Sequence, residues 1–198
     1  SCATEFKSTI PYVSAVAHVA HTLRSDRDKV QYAASHGHVH LLRFMCEELN
    51  ICAIGGMCAA SKADHIACLE FLHLRGERLT YGLACGAAQS GSLKCLQYMR
   101  SHGVGHKSEI LFSAAKGGSL PCMRYLAKTE HADLTENYDK VLLFAAREGR
   151  LAVVQYLWEE HSALHTVHSQ RHIAFGAVEF DHVPILKFAH AQSFKYFK

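Results

Sequence analysis

Chemistry in this sequence would have to come from histidine and cysteine, which are plentiful at 16 and 8 of 198 residues. His161, His165, His168 and His172 are spaced so that an unbroken helix would carry all four on one face, and neutral imidazoles are zinc ligands. Two features argue against a metal. His161 falls where a repeating pattern closes a helix, and the cluster contains no Cys, which closed structural zinc sites usually include. The expectation is no metal and no cofactor, with those four histidines as the only candidates.

A cysteine nucleophile would need an exposed thiolate beside an oriented base. Cys68, Cys95 and Cys122 recur at 27-residue intervals on an apolar position, and Cys58 and Cys85 recur at the same interval, so all five read as packing residues. Cys46 and Cys52 are the least constrained. The sequence has no strand-elbow-helix context, phosphate loop or carboxylate pair, and it is not expected to be an enzyme.

The interval that explains the cysteines organises the whole chain. With Ala87 as position one, the same place is held by Ala33, Ala60, Ala114, Ala145 and Ala177, giving spacings of 27, 27, 27, 31 and 32 residues. Position two is small in most copies (Ala34, Ser61, Ala88, Ala115, Ala146, Val178), and position five is a turn residue (Gly37, Asp64, Gly91, Gly118, Gly149, Asp181). Position ten is apolar, and position twelve is aromatic throughout: Phe44, Phe71, Tyr98, Tyr125, Tyr156 and Phe188. Followed by apolar residues in a helix, these rings read as packing rather than as a stacking platform for bases. Each copy predicts a short helix ending at the small pair, a turn that tolerates left-handed backbone, and a second amphipathic helix. The extra residues of the two longer copies, Thr129 to Asp139 and His161 to Arg171, are expected to be long loops.

Lys plus Arg exceed Asp plus Glu by three, with the basic residues scattered, which gives little support for nucleic-acid binding. No apolar run is long enough to span a bilayer, and Ser1 to Lys7 lack the apolar core of a signal peptide, so no membrane insertion is expected. Cysteines used as buried hydrophobes place the protein in a reducing intracellular compartment, cytoplasm or nucleus, with an organelle matrix equally compatible. The start at Ser1 rather than Met suits a processed chain or one excised from something longer.

Ala-Ala-x-x-Gly-His-Val at 33–39, Ala-Ala-x-x-Gly-Ser-Leu at 87–93, and Gly76 and Gly103 at position seventeen resemble the ankyrin repeat, over roughly residues 28–191. The family's Thr-Pro-Leu-His tetrapeptide is absent and the period is short of 33, as in the divergent arrays of protists, algae and giant viruses. The resemblance implies an all-α ankyrin-type solenoid of about six helix-turn-helix units, with β-hairpin fingers reduced or absent. The expected organisation is an N-terminal helical cap (1–27), six repeats (28–191, starting near 28, 55, 82, 109, 140 and 172) and an aromatic, basic tail (192–198). It also makes His38 the turn histidine of its repeat.

In the ankyrin family the two residues after the alanine pair face the concave surface. Carried over, partner-binding candidates are Ser35, His36, Lys62, Gln89, Ser90, Lys116, Arg147, Glu148, Glu179 and Phe180, with Ala63 and Gly117 at the same register. The implied function is a non-catalytic protein-interaction or scaffolding domain, with a protein partner that offers an acidic segment to the basic central positions. The alternative is a permanent subunit of a large assembly, docked through an uncapped C-terminal end by Phe194, Tyr196 and Phe197, unless that tail folds back as a lid.

Overall fold

The computed structural model describes residues 25–53, 55–105, 108–129 and 131–194, with residues 131–133 described for their backbone alone. Most of the expected N-terminal cap, together with Tyr196 and Phe197, lies outside the described residues. Among those described there are twelve α-helices, one short 3₁₀ helix and no strand, so the all-α repeat architecture is present and hairpin fingers are not.

The chain falls into two compact units, 1–79 and 80–198. In the first, α1 (Asp26–Ser35) and α2 (Val39–Glu47) form one pair, and α3 (Gly56–Lys62) and α4 (Ile66–Leu74) the next. The second contains α5 (Tyr81–Ser90), α6 (Leu93–Ser101), α7 (Ser108–Gly117), α8 (Leu120–Thr129), α9 (His131–Arg147), α10 (Leu151–Glu160), α11 (Val167–Glu179) and α12 (Val183–Ala191). First helices stack on first helices in the order α5, α7, α9, α11, and second helices likewise in the order α6, α8, α10, α12.

The small pair permits this stacking. Ala33, Ala34, Ala87, Ala88, Ala114, Ala115, Ala145 and Ala146 are all fully buried where neighbouring first helices meet. Ser61 substitutes for Ala at the same burial because its hydroxyl donates to the Cys58 carbonyl at 3.0 Å, so no polar group is stranded. At position five, Gly37, Gly91, Gly118 and Gly149 have φ between +69° and +86°, and Asp64 and Asp181 reach +58° and +56°. Those two aspartates occupy the left-handed turn that glycine otherwise takes, as Asn and Asp can. The second helices then bury Leu42, Leu69, Leu96, Met123 and Val154 completely.

The two longer repeats correct the loop expectation. Residues 131–139 are helical: α9 runs 17 residues where α7 runs 10. Leu134, Tyr138, Val141 and Leu142 give α9 a buried stripe with three- and four-residue steps, so the extra residues are drawn into helix by burial. Tyr138 donates its hydroxyl to the Leu157 carbonyl at 2.8 Å, tying the extension to α10. In the second insertion, 162–164 form the 3₁₀ turn, and α11 begins after Thr166, whose side chain accepts from Ser169 N in a reciprocal capping box.

Cysteine placement follows the pattern in part. Cys68, Cys95 and Cys122 are fully buried, and burial pushes the Cys68 thiol up to about 11, which removes any nucleophilic thiolate there. Cys46 is also buried, and burial raises its thiol, contrary to its expected freedom; Cys52 is exposed. Cys58 is exposed and Cys85 half-buried, so their shared interval reflects helix register rather than burial.

Candidate functional site

A groove on the second unit collects position-three and position-four residues from three successive repeats. Lys116 lies in the last turn of α7, Arg147 ends α9, and Glu179 ends α11, with Glu148 and Phe180 just beyond. Their placement is fixed by the following repeat. Position six reaches back to the end of the preceding first helix: Arg150 Nε donates to the Lys116 carbonyl at 2.8 Å, and His182 Nε2 donates to the Arg147 carbonyl at 2.7 Å. Each bond satisfies a C-terminal carbonyl that the helix leaves open. The left-handed glycine between them leaves room for the reaching side chain, since a Cβ on Gly118 would lie 2.6 Å from Arg150 Cδ.

Two cation and ring pairs line the groove. Lys116 Nζ lies 4.4 Å from the centroid of Phe144, and Arg147 Cζ lies 5.0 Å from that of Phe180. Arg147 Nε also sits 3.4 Å from Glu179 Oε2, a pair about two-fifths exposed and so worth little by itself. Phe112 supports Phe144 from the preceding repeat with ring centroids 5.2 Å apart. Lys116, Phe144, Arg147, Glu148 and Phe180 enclose a cavity of about 300 Å³. Rings beneath cations hold the charges in place without neutralising them, which suits capture of a carboxylate flanked by apolar groups.

Of the residues expected to bind a partner, Lys116, Arg147, Glu148, Glu179 and Phe180 come together here. Gln89 and Ser90 lie at the exposed end of α5, where the Ser90 hydroxyl donates to Gly86 O at 2.6 Å. Ser35, His36 and Lys62 belong to the other unit. Ser35 donates to the Tyr32 carbonyl at 3.0 Å, His36 stacks on Tyr32 at 4.1 Å, and Lys62 is exposed in the last turn of α3. Gly117 is a packing position: a Cβ there would overlap the carbonyl oxygen of Gln89 and lie 2.6 Å from its carbon. Phe144 and Phe112 are groove residues that the repeat register does not single out. A signal is present for Phe144, because the residue before the alanine pair varies as Tyr32, Ala59, Gly86, Ser113, Phe144 and Gly176, which is not the behaviour of a scaffold position.

The histidine cluster is divided. α10 ends at Glu160 with His161 as its C-cap, His165 precedes α11, and only His168 and His172 lie on α11. Among the described residues no group of three or more His, Cys, Asp or Glu is placed to hold a metal ion. His165 instead stacks on Trp158 with ring centroids 3.5 Å apart, and Phe194 closes on the same indole at 4.6 Å. Phe194 is fully buried, so it belongs to the packing of the last repeats and is not offered for docking.

Burial holds the His165 pKa below 6.5, outweighing the opposing effect of a backbone hydrogen bond at Trp158. The unfolded chain therefore binds the proton more readily than the folded one. His165 contributes its stability above pH 6.5 and loses it as the pH falls below that value. Urea unfolding followed through the fluorescence of Trp158, the single tryptophan, is expected to show the midpoint falling as the pH drops below 6.5, with a shallower fall in His165→Leu.

Paired antiparallel helices, stacked through alanine pairs and joined by left-handed turns, define an all-α helical-repeat protein. Part of the array is similar to ankyrin repeats. Residues 84–169 match the family profile described as ankyrin repeats (3 copies). The fold is similar to that of the human ASB11 ankyrin repeat domain, with a TM-score of 0.55 at 18% sequence identity, covering 76% of this chain and 82% of that one. Among curated proteins, no sequence matches the chain. Ankyrin repeats serve generally as protein-protein interaction modules. No helix among the described residues is long and apolar enough to cross a membrane.

Proposed function

We propose that the protein is a non-catalytic scaffold or adaptor that binds an acidic segment of a partner protein in the groove of the second unit. The observation that carries this is the convergence of Lys116, Phe144, Arg147 and Phe180 from three repeats on one cavity, each cation set over a ring. The groove is already formed by packing and by the Arg150 and His182 hydrogen bonds, so little ordering cost falls on this side of a complex. The proposed setting is a reducing intracellular compartment, in line with Cys46, Cys68, Cys95 and Cys122 packing as buried side chains.

A second reading, permanent docking of the last repeat into a larger assembly, has its own observation. Val178 is 62% exposed where Ala88, Ala115 and Ala146 are fully buried, and Phe175 is 60% exposed beside it. That face is the one each earlier repeat of the unit covers with its successor. Photo-crosslinking separates the two readings. With p-benzoylphenylalanine at position 148 or at position 178 of the full chain, the groove reading expects a partner adduct from position 148 alone. An adduct from position 178 alone would replace the groove with the end face.

A further inference from the structure

The end face of the last repeat is charged as well as apolar. Its residues hold positions that, in earlier repeats of the unit, touch the repeat that follows. Phe175 on α11 corresponds to Phe112 on α7, whose ring lies 5.2 Å from that of Phe144. Val178 corresponds to Ala146, whose methyl would lie 3.1 Å from a Cβ on Gly176. Arg171 corresponds to Asp139, which accepts from the Ser169 hydroxyl, and Asp181 to Gly149, where a Cβ would lie 2.8 Å from the His182 ring. Leu186 on α12 is half-buried at a position that is fully buried as Leu96, Met123 and Val154. All of these residues therefore point where a following repeat would lie.

The charges on this face complement themselves in one orientation. Arg171 and Asp181 are exposed, and neither enters an ion pair with a described residue. The surface around Arg171 is formed by Leu143, His168, His172 and Phe175, with no carboxylate among them, while Glu179 is taken by Arg147. Arg171 and Asp181 are ten residues apart, about 15 Å at 1.5 Å per residue, with Phe175 and Val178 between them. A second α11 laid antiparallel, across a two-fold axis level with Gly176, brings Arg171 against the copy's Asp181 twice and joins the apolar residues. A parallel one would set like charges together. Lys187 on α12 is level with Phe175, because the hairpin turns about Asp181, and it corresponds to Arg124, which lies 5.3 Å over the Tyr156 ring of the next repeat. It meets its own copy at the rim, where its long stem carries the charge into water.

We propose that the end face docks a second copy of this chain, with α11 antiparallel on α11, Phe175 and Val178 at the centre, and Arg171 of each copy against Asp181 of the other. Val178 in place of alanine prevents the close stacking seen between α9 and α11, which favours a separate chain over one more repeat of the same kind. α11 is about 20 Å long, and two helices side by side are about 20 Å wide, giving roughly 400 Å² on each copy. That is small for a specific interface, so the dimer is weak and depends on concentration. The exposed ion pairs add little energy and instead fix the orientation. The dimer stands without the groove reading; where both hold, it presents two Lys116 grooves and grips a partner with two acidic segments bivalently.

The test is sedimentation equilibrium of the full chain. The mass is expected to rise from 22.0 kDa toward twice that value between about 10 µM and about 1 mM. Val178→Asp and Arg171→Glu replace exposed side chains, so neither threatens the fold, and each is expected to weaken association by at least about ten-fold. Asp181→Lys alone is expected to do the same. An equimolar mixture of Arg171→Glu and Asp181→Lys chains should associate again, because opposite charges then meet at both ends, which a merely structural defect in either chain would not produce. Lys is less suited than Asp to the left-handed turn, so Val178→Asp decides independently of that variant. Lys116→Glu/Arg147→Glu should dimerise like wild type, which separates the end face from the proposed groove. A chain that stays monomeric at about 1 mM, a dimer unaffected by Val178→Asp, or a mixture of folded variants no tighter than its components would overturn the proposal.

Discussion

Gly117→Ala is expected to destabilise the second unit by about 3 kcal/mol, the range seen when a well-packed contact is overfilled. The added methyl would overlap the Gln89 carbonyl oxygen and approach the carbonyl carbon to 2.6 Å. A clash with a flexible side-chain tip relaxes by rotation, but this one is with backbone. Relief requires α5 and α7 to move apart at the register where Ala87, Ala88, Ala114 and Ala115 are fully buried, loosening their packing. Gly82→Ala provides the contrast. Gly82 is exposed in the first turn of α5, and a Cβ there would meet nothing nearer than Thr80 Oγ1 at 4.0 Å. Helix propensity alone then predicts a gain of roughly 0.5–1 kcal/mol. Urea denaturation of both variants would show opposite shifts of the midpoint, and equal shifts would contradict the close approach of α5 and α7.

The repeat is legible in the sequence because it obeys two rules at once. Alanine-sized residues are needed where first helices meet, and a left-handed turn is needed four residues later. Position five therefore admits Gly or Asp and little else, which is why Asp64 and Asp181 align with the glycines by residue type and spacing alone. Gly117 departs from its expected role because its position faces outward in other copies, and nothing local in the sequence reports a neighbouring helix passing within contact. The insertions depart for a related reason. Extra residues suggest a loop, but Leu134 and Tyr138 continue the buried stripe of α9, and burial decides the conformation. The groove is half legible: register points to Lys116, Arg147 and Phe180, whereas the role of Phe144 depends on its ring lying under a lysine from the preceding repeat.

The groove itself makes the sharpest demand on the protein. Lys116→Glu/Arg147→Glu reverses both cations, removes both cation and ring contacts, and places new carboxylates where an acidic segment would lie. Arg147→Glu also sets a like charge beside Glu179, but that pair is partly exposed and contributes little to stability. A loss of binding of about 100-fold, or about 2.8 kcal/mol at 1.4 kcal/mol per decade, is expected with the fold intact. Lys94→Glu/Lys187→Glu is the matched control. It makes the same change of net charge at exposed positions of α6 and α12, and its effect should be small and abolished by salt. Isothermal titration of the partner identified by crosslinking at position 148, against wild type and the two double variants, tests the account most directly. The account predicts a loss of about 100-fold in Lys116→Glu/Arg147→Glu and little change in the control; equal affinities for all three chains would contradict it.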